Sequence, residues 1–388
     1  MKSIVFYITY YPSYGGIEKV TTYLANYLCS QDYDVSIISF QSPHPECKNI
    51  LSDAVKLVMM PNSHDFLCED NKEFLIDYIN NHDVDYLIYQ DCYSSVHELL
   101  KYTNLNLSKQ LIVCEHNSPL CHLIAYRNYL KKLSFYSVKD IARIMYYPFN
   151  RSRLFRKISE RHAELLTICY KYVLLSDSLK GQLFHLTSNR DCDKVISIAN
   201  PITIDKRTST NVTNRRKQML FVGRLVEDKG IDYLIEIWTI IEREKSDWNL
   251  VIVGDGPLRG FVENKIRQLG LKQIKIVGAR LNVEDYYQSS TFLLMTSIFE
   301  GFGLVLTEAM YYGVVPLAFE SFPTLRDIIN HGKNGFCVKP YDVKAYAQLL
   351  IEIMNNQNRI KIMSDCAIEK SKLFNIELIG QKWIDLLS

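Results

Sequence analysis

Met219-Leu220-Phe221-Val222-Gly223-Arg224-Leu225-Val226-Glu227-Asp228-Lys229-Gly230-Ile231 is the stretch whose reading decides the architecture. Residues 219–223 read as a short buried strand ending on a glycine. A polar loop with two cations follows, and a helix starts near Ile231. A strand feeding a helix through a short loop is half of a βαβ unit. Repeated units build a parallel sheet covered by helices on both faces.

The same alternation runs outward in both directions. Downstream, apolar runs recur at 250–253, 274–277, 292–295 and 314–319. Upstream, a run at 4–10 precedes a helix pattern over 17–30, and further runs fall at 35–40, 55–60, 86–89, 111–114, 172–175 and 195–198. Asn200-Pro201 breaks the pattern, and the polar Asp205-Lys206-Arg207-Thr208-Ser209-Thr210-Asn211 is the best linker candidate. The reading is α/β: two doubly wound parallel-sheet domains, 1–200 and 201–373, with a terminal helix over 374–388. The 388 residues exceed the roughly 250–300 at which one core stops growing. Ligands of such sheets lie outside the carboxyl ends of the strands, near a topological switch point. Two such domains facing each other would enclose a cleft.

Composition narrows the class. A chain 47% hydrophobic and 23% charged is an ordinary globular protein, neither disordered nor fibrous. A net charge of +2 gives no global field for nucleic acid. The ten cysteines are scattered without a Cys-x-x-Cys pair, which fits a reducing cytoplasm. The short apolar start reads as a strand rather than a signal peptide. No run approaches the roughly 18 apolar residues that cross a bilayer.

Four strand-to-helix turns carry the chemistry. Arg224 and Lys229 follow the strand ending at Gly223; two cations beside free amides suit a diphosphate. The bland alternative is a solvated loop. Ile298-Phe299-Glu300-Gly301-Phe302-Gly303-Leu304 then leads into a helix carrying Glu308. Its glycines permit close backbone approach, and the helix start offers N–H donors. Taken alone, Glu308 reads as a solvated helix-face charge and Glu300 as an acid stabilised by the helix dipole. Val253-Gly254-Asp255-Gly256-Pro257-Leu258-Arg259-Gly260 has one residue too many for the dinucleotide fingerprint, and the next strand ends without the acid that fingerprint needs. A tight glycine turn at a ligand-facing strand end is the firmer reading. Ser13-Tyr14-Gly15-Gly16-Ile17-Glu18 places two glycines at the first helix's start, where a phosphate or sugar could enter; the alternative is a plain turn.

Glu115-His116-Asn117 follows a buried strand at its ligand-binding end; a lone His there reads first as a structural one. Gly-x-Ser-x-Gly, the complete Walker sequence, His-Glu-x-x-His and metal-ligand spacing are all missing, so no metal is expected.

Taken together, these stretches resemble the retaining glycosyltransferases of family 4, the group 1 glycosyl transferases with the GT-B fold of two Rossmann-like domains facing across a cleft. The resemblance rests on Gly223-Arg224 with Lys229-Gly230, on Val253-Gly254-Asp255-Gly256, and on Glu300-Gly301-Phe302-Gly303 with Glu308, in the family's order and spacing. In the N-terminal half only Gly15-Gly16 and His116 match. The resemblance implies that Arg224 and Lys229 hold the diphosphate of a nucleotide-sugar donor, UDP-linked, with help from backbone amides around Phe302, Gly303 and Leu304. It implies that Glu308 binds the ribose, that Glu300 contacts the transferred sugar, and that His116 sits near the reacting carbon. The last helix would cross back onto the N-terminal domain. The implied activity is hexosyl transfer, without a cofactor, to a lipid-linked or growing surface-polysaccharide glycan. How the anomeric configuration is retained stays open; a front-face route in which the leaving phosphate takes the acceptor proton is one option.

Other classes compete. A sugar-nucleotide epimerase would need no acceptor. A phosphorylase would carry pyridoxal phosphate on a longer chain. A nicotinamide dehydrogenase lacks its acid, and a dead binding module would not keep both glutamates and both cations.

Residues 124–162 stand apart. They carry ten cations (Arg127, Lys131, Lys132, Lys139, Arg143, Arg151, Arg153, Arg156, Lys157, Arg161) against Asp140 and Glu160, a local charge of +8. Aromatics interleave: Tyr126, Tyr129, Phe135, Tyr136, Tyr146, Tyr147, Phe149 and Phe155. The pattern predicts a helical insertion facing an anionic membrane, peripheral at the inner face of the cytoplasmic membrane. The same cations could instead hold a lipid-linked diphosphate. The bland alternative is a helix pair with solvated basic faces and core aromatics.

Overall fold

The computed structural model describes residues 1–130, 137–188, 193–204, 216–245 and 247–388, the side chain of Val138 excepted. The linker stretch 205–211 lies outside the described residues, as do Lys131, Lys132, Phe135, Tyr136 and Cys192. The chain divides into two compact units: Met1–Pro201 with Ile376–Ser388, and Ile202–Asn375.

The first unit is built on seven strands: β1 (Ser3–Tyr10), β2 (Asp34–Gln41), β3 (Lys56–Met59), β4 (Tyr86–Tyr89), β5 (Leu111–Glu115), β6 (Lys171–Leu174) and β7 (Val195–Ser197). They lie in the order β3-β2-β1-β4-β5-β6-β7, and every pairing is parallel. A central parallel strand is buried on both faces, so residues 4–9 of β1 are all buried. The edge strand β3 is not, with Lys56 and Met59 exposed. The order reverses between β1 and β4, which makes that the switch point of this sheet. The terminal helix Ile376–Leu387 belongs to this unit and buries Ile379, Trp383 and Leu387. Lys2 Nζ donates to its last carbonyls, at 2.6 Å to Leu387 and 2.8 Å to Ser388.

One strand boundary differs from the sequence reading. Glu115 is not polar residue beyond the strand; it is the last residue of β5, paired in register with Leu174 and fully buried. A buried carboxylate needs partners. Glu115 Oε2 accepts from His162 Nε2 at 3.0 Å and from the Tyr172 hydroxyl at 3.3 Å, and Oε1 accepts from the Asn117 amide at 3.1 Å.

The described part of the basic stretch is helical and lies between β5 and β6. Its helices are Cys121–Leu130, Val138–Met145 and Tyr147–Ile168. Ser137 caps the second helix, accepting from the Asp140 amide, and Pro148 sits at the start of the third, where its missing N–H costs nothing. The third helix runs on past residue 162 and buries Ile158, His162, Leu165 and Leu166 in the unit's core.

The second unit holds β8 (Gln218–Val222), β9 (Asn249–Val253), β10 (Ile274–Gly278), β11 (Phe292–Met295), β12 (Val315–Phe319) and β13 (Phe336–Val338). The order is β10-β9-β8-β11-β12-β13, again all parallel, with its switch point between β8 and β11. The helix Ile231–Glu244 turns Ile231, Leu234, Ile235, Trp238 and Ile241 inward, the spacing of one helix face. β13 escaped the sequence reading because three residues carry almost no periodicity.

Candidate active site

The carboxyl ends of β8 and β11 flank the second unit's switch point, and the loops leaving them are sewn together. The Ile298 amide donates to the Asp228 carbonyl at 2.8 Å, and Thr296 Oγ1 donates to the Lys229 carbonyl at 3.0 Å. Gly230 makes this approach possible. Its φ of 61° is left-handed, and a Cβ there would lie 2.0 Å from the Thr296 carbonyl oxygen. Gly254 does the same for the loop after β9, because a Cβ would meet the Gly223 carbonyl oxygen at 1.9 Å. The Gly223 and Leu225 amides donate to the carbonyls of Val253 and Asp255 at 3.0 and 2.8 Å, completing the seam.

This seam sets the charged groups. Arg224 is exposed, and no ion pair forms to it among the described residues. Lys229 is paired with Glu300 Oε1, and the two side chains are 24% and 13% exposed. The same oxygen accepts from Ser297 Oγ at 2.7 Å. Glu300 therefore faces a lysine rather than merely capping the helix dipole. Thr324 Oγ1 donates to the Gly301 carbonyl at 3.0 Å and holds the loop down.

The helix Leu304–Tyr311 starts at Gly303. Among the described residues, nothing accepts a hydrogen bond from the amides of Phe302, Gly303 or Leu304. Phe302 is buried and meets Phe374 edge-on at 5.6 Å, which fixes the backbone carrying those amides.

Glu308 is not on a solvated helix face: it is 3% exposed. Its Oε1 accepts from Thr203 Oγ1 at 2.7 Å and its Oε2 from the Tyr287 hydroxyl at 2.8 Å. Each oxygen keeps a second lone pair for another hydroxyl. Thr203, Tyr287 and Ser297 were missed in the sequence, where no motif marks them.

In the first unit, Gly15 and Gly16 sit at the start of the helix Gly16–Ser30. Glu18 folds over that turn, so a Cβ on Gly15 would lie 1.9 Å from its Oε2. His116 follows β5 directly. Its Nε2 is hydrogen-bonded to Gln90 Oε1, and its Nδ1 is buried with no partner. Burial pushes its pKa down to about 4, so the ring is neutral at pH 7.

A turn carrying two cations at the switch point of a doubly wound sheet, a lysine–glutamate pair and free amides at a helix start are groups of the kind that suit a phosphorylated ligand. Residues 203–370 match the family described as glycosyl transferases group 1. An uncharacterized glycosyltransferase of Haemophilus influenzae is 30% identical, covering 100% of both proteins. The chain belongs to the group 1 glycosyltransferases. An amylovoran biosynthesis glycosyltransferase of Erwinia amylovora is 25% identical over 96% of each protein. The crystal structure of Anabaena HepE in complex with UDP and glucose superposes with a TM-score of 0.76 at 15% identity, covering 99% of this chain and 98% of that one. The fold is GT-B.

Proposed function

We propose that this glycosyltransferase moves a hexosyl group from a nucleoside-diphosphate sugar, UDP-linked, to a glycan acceptor with retention of configuration. The carrying observation is the cluster at the second switch point: exposed Arg224, the Lys229–Glu300 pair and the free amides of residues 302–304. In the transfer, an acceptor hydroxyl oxygen bonds to the anomeric carbon. The bond from that carbon to the diphosphate oxygen breaks, and its electron pair leaves with the diphosphate. The acceptor proton goes to the leaving phosphate oxygen. Arg224, Lys229 and the amides oppose the negative charge that grows on the leaving group. This grip asks for no metal. Glu300 contacts the transferred sugar and Glu308 the ribose.

The acceptor we propose is a lipid-linked surface-polysaccharide precursor, in keeping with the amylovoran relative. The enzyme would work at the inner face of the cytoplasmic membrane. The helix Val138–Met145 and the start of the next one support this, presenting Ile141, Met145, Tyr146 and Phe149 to solvent, the last three 75%, 65% and 69% exposed. Lys139, Arg143, Arg151, Arg153, Arg156 and Lys157 are exposed in the same segment. No helix among the described residues is long and apolar enough to cross a membrane.

A panel of nucleotide sugars tested for protection against thermal unfolding checks the donor. A ligand of the folded state raises the unfolding temperature by mass action. UDP-sugars are expected to protect, and the absence of protection by every member would overturn the reading.

A further inference from the structure

Glu115 closes over the residue that follows it. Its Oε1 accepts from the Asn117 amide at 3.1 Å, so a side-chain-to-backbone turn spans His116. Beyond the turn, Ser118 donates to Gln182 Oε1, and the Tyr93 hydroxyl donates to the Ser118 carbonyl at 3.2 Å. The other carboxyl oxygen of Glu115 faces His162 Nε2 at 3.0 Å, and both side chains are fully buried. His162 lies on the helix Tyr147–Ile168, so that helix is tied to the loop that carries His116.

Proton counting fixes the nature of this contact. His162 Nδ1 faces the Ile158 carbonyl at 2.8 Å, and a carbonyl only accepts, so Nδ1 carries a hydrogen. Nε2 faces a carboxyl oxygen. With one proton between them the contact is a hydrogen bond. Without it, a ring lone pair opposes a buried carboxylate. Burial alone would lower the His162 pKa, but the hydrogen bond and the charge of Glu115 outweigh it, and the pKa ends above the ordinary histidine value. The stabilisation is fully present below about pH 6.5, where the unfolded histidine is protonated too. It is lost as pH rises through the raised folded value.

The groups around the pair do not titrate with it. Burial raises the pKa values of Cys92, Tyr93, Cys114 and Tyr172, which keeps them neutral where His162 titrates. Cys121 donates to the Tyr93 hydroxyl at 3.4 Å, and the His122 ring meets that of Tyr93 edge-on at 4.5 Å. Arg161, the cation beside His162 on the helix, donates to the Tyr93 carbonyl.

We propose that Glu115 and His162 are positioning residues that hold His116 in place through one shared proton, so that alkaline pH releases it. That His116 serves the reaction rests on the glycosyltransferase reading; the clamp itself does not.

The test uses Glu115→Gln and His162→Gln. In the first, Oε1 keeps the Asn117 amide, and the two Nε2 hydrogens serve a neutral His162 ring and the Tyr172 hydroxyl. In the second, a side-chain amide donates to Glu115. Neither contact has a proton to lose, and either variant suffices if the other fails to fold. Hydrogen exchange at the Asn117 amide and nucleoside diphosphate release from nucleotide sugars are followed over about pH 6–10. In wild type, kcat should fall about tenfold per pH unit beyond the His162 pKa, with the donor KM unchanged. Asn117 protection, measured against Glu115→Gln at the same pH, should fall with it. Both variants should keep kcat and protection through that range. A pair that only stabilised the fold would leave no such limb in kcat. The same alkaline limb in wild type and variants would overturn the proposal, as would Asn117 protection that outlasts the limb in wild type. If no nucleotide sugar is turned over, the glycosyltransferase reading fails, and the exchange arm still decides the clamp.

Discussion

Lys229 and Glu300 are ion-paired, and that contact joins the loop after β8 to the loop after β11. In the proposed reaction a diphosphate arriving at Lys229 would compete with Glu300, and the carboxylate would be released toward the sugar as the cation turned to the phosphate. On that proposal the two residues would work as one unit. Lys229→Ala should lower kcat by roughly 10²–10³, the scale of one lost charge-stabilising donor. Glu300→Ala should lower kcat more than it raises the donor KM. The double variant should be little worse than the worse single one, as expected of residues that act together. Losses that simply multiply would show the pair to be incidental.

Glu308 carries a different expectation, because it is buried and already holds the hydroxyls of Thr203 and Tyr287. Glu308→Gln keeps the shape and should weaken nucleoside-diphosphate binding about tenfold or more in calorimetric titration. Tyr287→Phe, which removes only one donor to the carboxylate, should cost about 0.5–1.5 kcal/mol of stability and leave binding within a few-fold. Unchanged affinity in Glu308→Gln would take the ribose role away from it.

The exposed apolar face at Met145, Tyr146 and Phe149 beside Arg151, Arg153, Arg156 and Lys157 should bind anionic vesicles, each cation contributing about 1 kcal/mol near the surface. Co-sedimentation should weaken with salt. It should be lost when Met145, Tyr146 and Phe149 become Ser or the four cations become Ser. A wild-type chain that stays in the supernatant with phosphatidylglycerol vesicles at low salt would refute the membrane contact.

What could be read from the sequence was local. Buried parallel strands announce themselves as apolar runs, and the glycines of the β8, β9 and β11 turns mark where backbones must approach. The misses are long-range. Glu115 looked like a polar strand end because His162 and Tyr172, which satisfy it, lie 47 and 57 residues away. Glu308 looked solvated because one of its partners, Thr203, is 105 residues distant. Gln90 carries no motif, and only the meeting of β4 with β5 sets it against His116. The long helix that ends the basic stretch has two fates along its length. Its exposed start matches the charge pattern, while its buried end follows from packing that charge counting does not see.

The most direct test of glycosyl transfer at the second switch point is the release of nucleoside diphosphate from a panel of nucleotide sugars, followed for wild type and Arg224→Ala with a chelator present throughout. Wild type should release nucleoside diphosphate from at least one donor despite the chelator. Arg224→Ala should be slower by roughly 10²–10³ with an unchanged unfolding temperature, because Arg224 is exposed and unpaired among the described residues. Release at the wild-type rate by Arg224→Ala, or no release from any donor until a divalent cation is restored, would contradict the account.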